Sequence, residues 1–431
     1  MTNIGGTPFM SNKATIEKIQ ARVVFDSRGV ATIEVDVFTN SGFGRNAAPF
    51  GAPGSRGEFE ASAYGTVGVE GAVTVVTQDL AKELIGMDAS ELHACDSKIR
   101  EIDGTANFSR IGGNTSSALS IAIARAAADS LKVPLFKLLA PDFKTYALPV
   151  PLGNIIGGGA HAMGPTPDMQ EHIAIPVSAK SAREAVQFNI LLHEATGDIL
   201  EKIDPVFVGG TDDEHAWTAN MDDTKALEVI AEAAENLKTK MGVEFRLGLD
   251  LAADRLWNPA KKQYIYSRER KNRTTAEQID FVERLVQRFN LLYVEDAFNS
   301  NDYQGCAELR KRVGKHCLVC GDDLLATNKE RTAEGVKQGS MNSMIIKVNQ
   351  IGTVSDAHET TLFAQSKGIK TVISHRSGET DDNTLAHLAT SWNCVGVKSG
   401  VTGGERLAKL NEFIRIEESL GNKATIAKVE P

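Results

Sequence analysis

The chain has 431 residues, of which 42% are hydrophobic and 24% charged, with a formal net charge of −9. That length exceeds a small stapled scaffold and suits a large α/β barrel with a smaller companion, and the near-average composition excludes disorder over most of it. No apolar run reaches the length of a membrane span, and no basic cluster tracks along a helix or loop, so neither a membrane span nor a nucleic-acid partner is expected.

In chain order, residues 1–13 read as a loose extension with no basic and apolar secretory pattern, and initiation at Met10 would also be compatible; a cytoplasmic location is expected. Asp26-Ser27-Arg28-Gly29 supplies a turn before Thr32–Val37, whose polar–apolar alternation predicts a strand with one wet face. Val69–Leu84 has helical apolar spacing, and Ser116–Leu131 is an alanine-rich helix for which Asn114 is the predicted N-cap. These elements make a smaller α+β unit over 14–147. The prolines of Leu148-Pro149-Val150-Pro151 mark the boundary to a second unit over 148–431.

From there the rhythm becomes short apolar strands separated by helices. The predicted strands are Phe245–Asp250, Leu291–Glu295, Cys317–Asp322, Met344–Lys347, Thr371–His375 and Val395–Lys398, and after the first gap about 20 residues separate neighbours, enough for a crossover helix. Thr274 and Glu277 stand at capping-box spacing ahead of one such helix. Repeated strand–helix units favour a parallel barrel with its chemistry where the strands end. Five scattered cysteines (Cys95, Cys306, Cys317, Cys320, Cys394) argue against a disulfide framework, and Cys317-Leu318-Val319-Cys320 lacks the second ligand pair that zinc would need.

The predicted strand ends are Asp250, Glu295, Asp322, Lys347, His375 with Arg376, and Lys398. Each alone reads as a solvated loop residue or a cap, and Lys347 alone as a lysine that lays its stem on the core. In register around one rim, three carboxylates with no cysteine or histidine among them suit an oxygen-preferring cation such as Mg²⁺. Beside such a cation and a second lysine, Lys347 is expected to have a lowered pKa and to serve as a base.

These residues carry a resemblance. The chain resembles the enolases, the phosphopyruvate hydratases of glycolysis, from Asp26-Ser27-Arg28-Gly29 through Gly157-Gly158-Gly159-Ala160-His161 to Glu405-Arg406-Leu407-Ala408-Lys409-Leu410-Asn411. The most specific stretches are Lys347-Val348-Asn349-Gln350-Ile351-Gly352 and Ser374-His375-Arg376-Ser377-Gly378-Glu379-Thr380. The resemblance implies a (β/α)8-type barrel behind an N-terminal α+β domain. It implies two Mg²⁺ per site, the tighter one on Asp250, Glu295 and Asp322, and removal of the C2 proton of 2-phosphoglycerate by Lys347. Glu214 matches the acid that protonates the departing C3 hydroxyl, supported by Glu171. Gln170 matches a substrate contact, His161 a loop that closes over substrate, and Arg376 with Ser377 the phosphate clamp. Lys398 matches the ligand of the substrate carboxylate, and His375 a residue near the leaving group. A homodimer or homo-octamer is the implied assembly.

Two stretches depart from the family pattern. Gly51-Ala52-Pro53-Gly54-Ser55-Arg56-Gly57 carries Pro53-Gly54 as an insertion; matched from the right, Ser55 takes the place of the serine at the weaker, substrate-dependent Mg²⁺, and Arg56 is either a phosphate contact or surface. Around Glu214 the family's Asp-Glu-Gly-Gly becomes Asp213-Glu214-His215-Ala216. A superfamily enzyme acting on another α-proton-bearing carboxylate and a non-catalytic homologue are the competing readings.

Overall fold

A computed structural model describes residues 13–51, 59–140, 142 and 144–431. The expectations placed on residues 1–12, Pro53, Gly54, Ser55 and Arg56 therefore lie outside the described residues.

The chain opens with a three-stranded antiparallel sheet of Ile16–Phe25, Ala31–Thr39 and Phe43–Ala47. Its first turn is set by Asp26, whose Oδ1 accepts the N–H groups of Arg28 and Val30, both at 2.9 Å, while Gly29 takes φ 71°. Ile33, Val35 and Val37 alternate into the core, but the other face is not the wet one expected: Thr32 and Asp36 are buried too, Thr32 donating to the Ala48 carbonyl and Asp36 paired with Arg45. The helix Gly113–Ser130 lies so close to the sheet that a Cβ on Gly44 would come within 2.0 Å of the Ala122 carbonyl; only glycine allows that approach. This helix begins three residues before the predicted start, capped by Gly112, and Asn114 lies inside it without a capping hydrogen bond. Val69–Leu84 is helical as expected, but its middle, Val75–Leu80, widens into a π-helical stretch.

The rest forms a closed eight-stranded barrel of Val150–Gly157, Glu171–Ile175, Arg246–Asp250, Tyr293–Glu295, Leu318–Gly321, Ser343–Ile346, Lys370–Ser374 and Gly396–Gly400. The last six correspond to the predicted strands. The first two do not, and the second corrects the expectation of a uniformly parallel barrel: Glu171–Ile175 runs antiparallel to both neighbours. Two helices, Ala182–Ile203 and Asp223–Met241, follow it before the next strand. A strand that finishes at the far end needs one helix up and one back to restart from that end. The longer first gap, after Asp250, holds a small antiparallel sheet of Trp257–Asn258, Gln263–Tyr266 and Lys271–Arg273 ahead of its crossover helix Thr275–Phe289.

Val150, Leu152, Ile173, Ile175, Tyr293, Leu318, Ile345 and Val372 fill one hydrophobic cluster drawn from the barrel strands. Outside, Thr275–Phe289 shows the predicted capping box: Glu277 Oε2 accepts the Thr274 N–H at 2.8 Å, and Thr274 Oγ1 accepts the Glu277 N–H at 3.4 Å. The N-terminal elements are fastened to the barrel by polar contacts, part of them buried. Asp96 Oδ2 accepts Ser355 N–H and Oγ–H at 3.0 and 2.6 Å, and Arg125 meets Asp382 at 2.7 Å. Among the described residues no helix is long and apolar enough to cross a membrane.

Candidate active site

Asp250 and Glu295 are the last residues of adjacent strands and are paired in register. Asp322, Lys347 and His375 each stand one residue past their strands. Lys398 corrects the expected pattern, for it is the third of five residues in Gly396–Gly400; the stagger of the barrel sets it level with Ser374, the end of the preceding strand.

The Lys398 ammonium lies 2.6 Å from Asp250 Oδ2, 2.9 Å from Glu295 Oε1 and 2.9 Å from Glu171 Oε1. Burial pulls its pKa down, yet these three carboxylates carry it well above the ordinary lysine value. Glu295 is pushed up to about 7 by burial and by Asp250. Lys347 forms an ion pair with Asp322. Burial lowers its pKa, but the Asp322 carboxylate outweighs burial and the repulsion from Arg376 and Lys398 and raises it.

Oxygen atoms of Glu295, Asp296 and Asp322 lie within 4.8 Å of one another. Asp296 was not singled out in the sequence, although it directly follows Glu295. Both its oxygens accept backbone amides, from Asp322 at 3.0 Å and Asp323 at 2.7 Å, so it shapes the rim loop from within the site. Asp250 reaches the same group through the shared Lys398. Its Oδ2 also accepts Gln170 Nε2 at 3.2 Å.

Next to Lys398 a second group gathers His161, Glu171 and Glu214. His161 Nε2 stands 3.7 Å from Glu214 and 3.9 Å from Glu171, and its Nδ1 meets Asp213 at 2.7 Å. Burial lowers the histidine, but Glu214, Asp213 and Glu171 together raise it to about 10. The two glutamates diverge: burial and the Glu214 charge push Glu171 well up, whereas His375 and His161 overcome burial and hold Glu214 well below the carboxylate range. Two buried carboxyls this close do not ionise equally: the protonated form is favoured at Glu171 and the charged form at Glu214.

His375 Nε2 is 3.1 Å from Glu214 Oε1, and Asn154 Nδ2 donates to Glu214 Oε2 at 3.2 Å. Arg376 is engaged by Glu60, with its guanidinium donating at 3.0 Å to both carboxylate oxygens, and it reaches Asn349 Oδ1 at 3.3 Å. Ser377 is buried, its carbonyl accepting from Arg406 at 2.6 Å. The site thus brings together every sequence-predicted residue among the described ones. Glu60, Asp296 and Arg406 were missed; Arg406 lies within a quoted stretch, and the doubled acid Glu295-Asp296 was the signal available for Asp296.

The donors fit a hard cation: all are oxygens, and buried Glu171 Oε2 and Gln170 Oε1 have no hydrogen-bond partner among the described residues. A barrel whose rim pairs a carboxylate cluster with two lysines and a carboxylic acid pair defines an enzyme able to move protons at a charged substrate. The family model described as "Enolase, C-terminal TIM barrel domain" matches residues 145–430, and "Enolase, N-terminal domain" matches 16–139. The chain is 45% identical to the enolase of Methanothermobacter thermautotrophicus over 408 residues, 95% of this chain and 97% of that protein. It is 45% identical to the enolase of Methanosphaera stadtmanae over 409 residues (95% and 98%) and 41% identical to that of Thermoplasma acidophilum over 406 (94% and 98%). The chain belongs to the enolase family.

Proposed function

We propose that the chain catalyses the reversible dehydration of 2-phospho-D-glycerate to phosphoenolpyruvate with Mg²⁺, using residues 148–431 as the catalytic barrel and 14–147 as its cap. One observation carries this reading: a buried carboxylate cluster stands between Lys347, paired with Asp322, and the Glu171–Glu214 pair joined to it through Lys398. Base and acid are thereby separate groups, as a stepwise elimination requires.

Asp250, Glu295 and Asp322 would hold Mg²⁺, with Asp296 bracing the loop behind them. When bound, Mg²⁺ supplies positive charge to the substrate carboxylate as negative charge grows there. Lys347 accepts the C2 proton as a free amine, which requires release from its ion pair with Asp322. Lys398 donates to the substrate carboxylate. Glu214 takes up a proton with the support of Glu171 and delivers it to the C3 hydroxyl as the C3–O bond breaks and water leaves. Arg376 and Ser377 bind the phosphate, for which a planar guanidinium fork is suited. His161 closes the mouth. A homodimer or homo-octamer in the cytoplasm is the inferred setting.

The test is direct. Purified protein with Mg²⁺ should form phosphoenolpyruvate from 2-phosphoglycerate; inactivity across all Mg²⁺ concentrations, or faster turnover of acid sugars or amino acids, would overturn the reading. Glu214→Gln should still exchange the C2 proton with solvent while failing to dehydrate, and Lys347→Ala should do neither. Equal loss of exchange in both would mean that Glu214 is not the acid.

A further inference from the structure

One histidine of the acid-bearing loop has no role so far. His215 has φ 67°, in the left-handed region that favours glycine, at the first position where the chain departs from the family's Asp-Glu-Gly-Gly. Its ring is closely seated: Nε2 lies 3.0 Å from Glu405 Oε1, and a Cβ on Gly403 would come within 2.3 Å of its Cδ2. Glu405 stands in the first turn of the helix Gly404–Leu420, and its Oε1 is also 3.4 Å from Arg406 Nε.

Arg406 is fully buried. It donates to His375 Nδ1 at 2.8 Å and to the carbonyls of Arg376, Ser377 and Asp213 at 2.6, 2.6 and 2.9 Å. A guanidinium cannot accept a hydrogen bond, so His375 Nδ1 must, and the ring hydrogen is left on Nε2, the atom facing Glu214. The same helical turn therefore orients both neighbours of the acid: the backbone on its C-terminal side through His215, and the imidazole against its carboxylate through Arg406.

We infer that His215 and Glu405 are positioning residues for the proton-donating step, a clamp that fixes the Asp213–Glu214 segment against the turn that presents His375. The inference rests on the role assigned to Glu214 above. A backbone held in an unfavoured conformation beside a reactive group persists only where its surroundings over-determine it, and here the Glu405 contact and the close packing on Gly403 do so.

The experiment compares two rates on the full chain with Mg²⁺: C2 hydrogen exchange from 2-phosphoglycerate, and phosphoenolpyruvate formation. His215→Gly relieves the backbone and removes the ring; His215→Asn keeps a residue tolerant of the left-handed backbone but without the reach. Both should slow dehydration roughly tenfold or more while exchange stays at the wild-type rate, since misplacing a reacting group costs rate steeply. Glu405→Ala should give the same split, and the His215→Gly, Glu405→Ala double variant should be no worse than either alone. Exchange and dehydration falling together, unaltered dehydration, or additive losses would each overturn the clamp. A wild type lacking both activities would overturn the proposed function itself, and the clamp with it.

Discussion

Arg376 shows how a single buried charge ties distant parts of the chain together. Its guanidinium and the Glu60 carboxylate are each 3% exposed, so removing one partner strands the other in a low-dielectric interior. Glu60→Gln is therefore expected to cost about 3 kcal/mol or more, read as a lower urea midpoint, with part of that restored by substrate because phosphate would give Arg376 a new anion. The rim residues were legible in the sequence because each follows a short apolar run, and a charge ending such a run stands out. Glu60 was not, because its partner is 316 residues away and nothing local to Phe59-Glu60-Ala61 signals burial. Electrostatic state was the least legible feature of all. The sequence sets Lys347 beside a cation site and a second lysine, and only the geometry shows that its nearest charge is the Asp322 carboxylate.

At the level of single elements, local chemistry decides some features and tertiary packing others. The capping box of Thr275–Phe289 is local, so the sequence displayed it in full. Thr274→Ala should cost about 1 kcal/mol, seen as a lower urea midpoint with unchanged denaturant slope and unchanged turnover, since the helix is on the barrel's outer face. The predicted Asn114 cap failed for the opposite reason: Asn114 is drawn into the helix, where its Oδ1 accepts from Asn349 Nδ2 at 3.0 Å across the seam with the barrel. The strands Val150–Gly157 and Glu171–Ile175 were missed because Pro149 and Pro151 read as a boundary and because a reversed strand breaks the repeating rhythm on which the other six were found. Lys398 was found, but placed at a strand end, because sequence alone does not reveal barrel stagger.

At the scale of the molecule, the seam between the N-terminal elements and the barrel contains a buried titratable group. Asp96 is pushed up to about 6 by burial, even though Ser120 and Ser355 hydrogen-bond to it. Its folded pKa exceeds the unfolded value of 3.8, so its contribution to stability is fully present below pH 3.8 and is lost as pH rises through about 6. Asp96→Asn keeps an acceptor for Ser355 without the charge. Relative to wild type it should gain up to about 3 kcal/mol at pH 8 and little at pH 4, measured as the difference between urea midpoints across that range. An equal difference at both pH values would show that Asp96 does not titrate in this window.

The reversed strand has one more consequence. Because Gly157 and Glu171 face each other as paired neighbours, the stretch carrying His161 leaves and re-enters the wall side by side, with Gly158 N–H already bonded to the Gln170 carbonyl at 3.0 Å. Lengthening or trimming it disturbs no crossover and shifts no register, and the entropic penalty of extra residues grows only logarithmically. Between its two site residues, His161 and Gln170, that stretch is a place at the mouth where selectivity could be rewritten without refolding the staves around it.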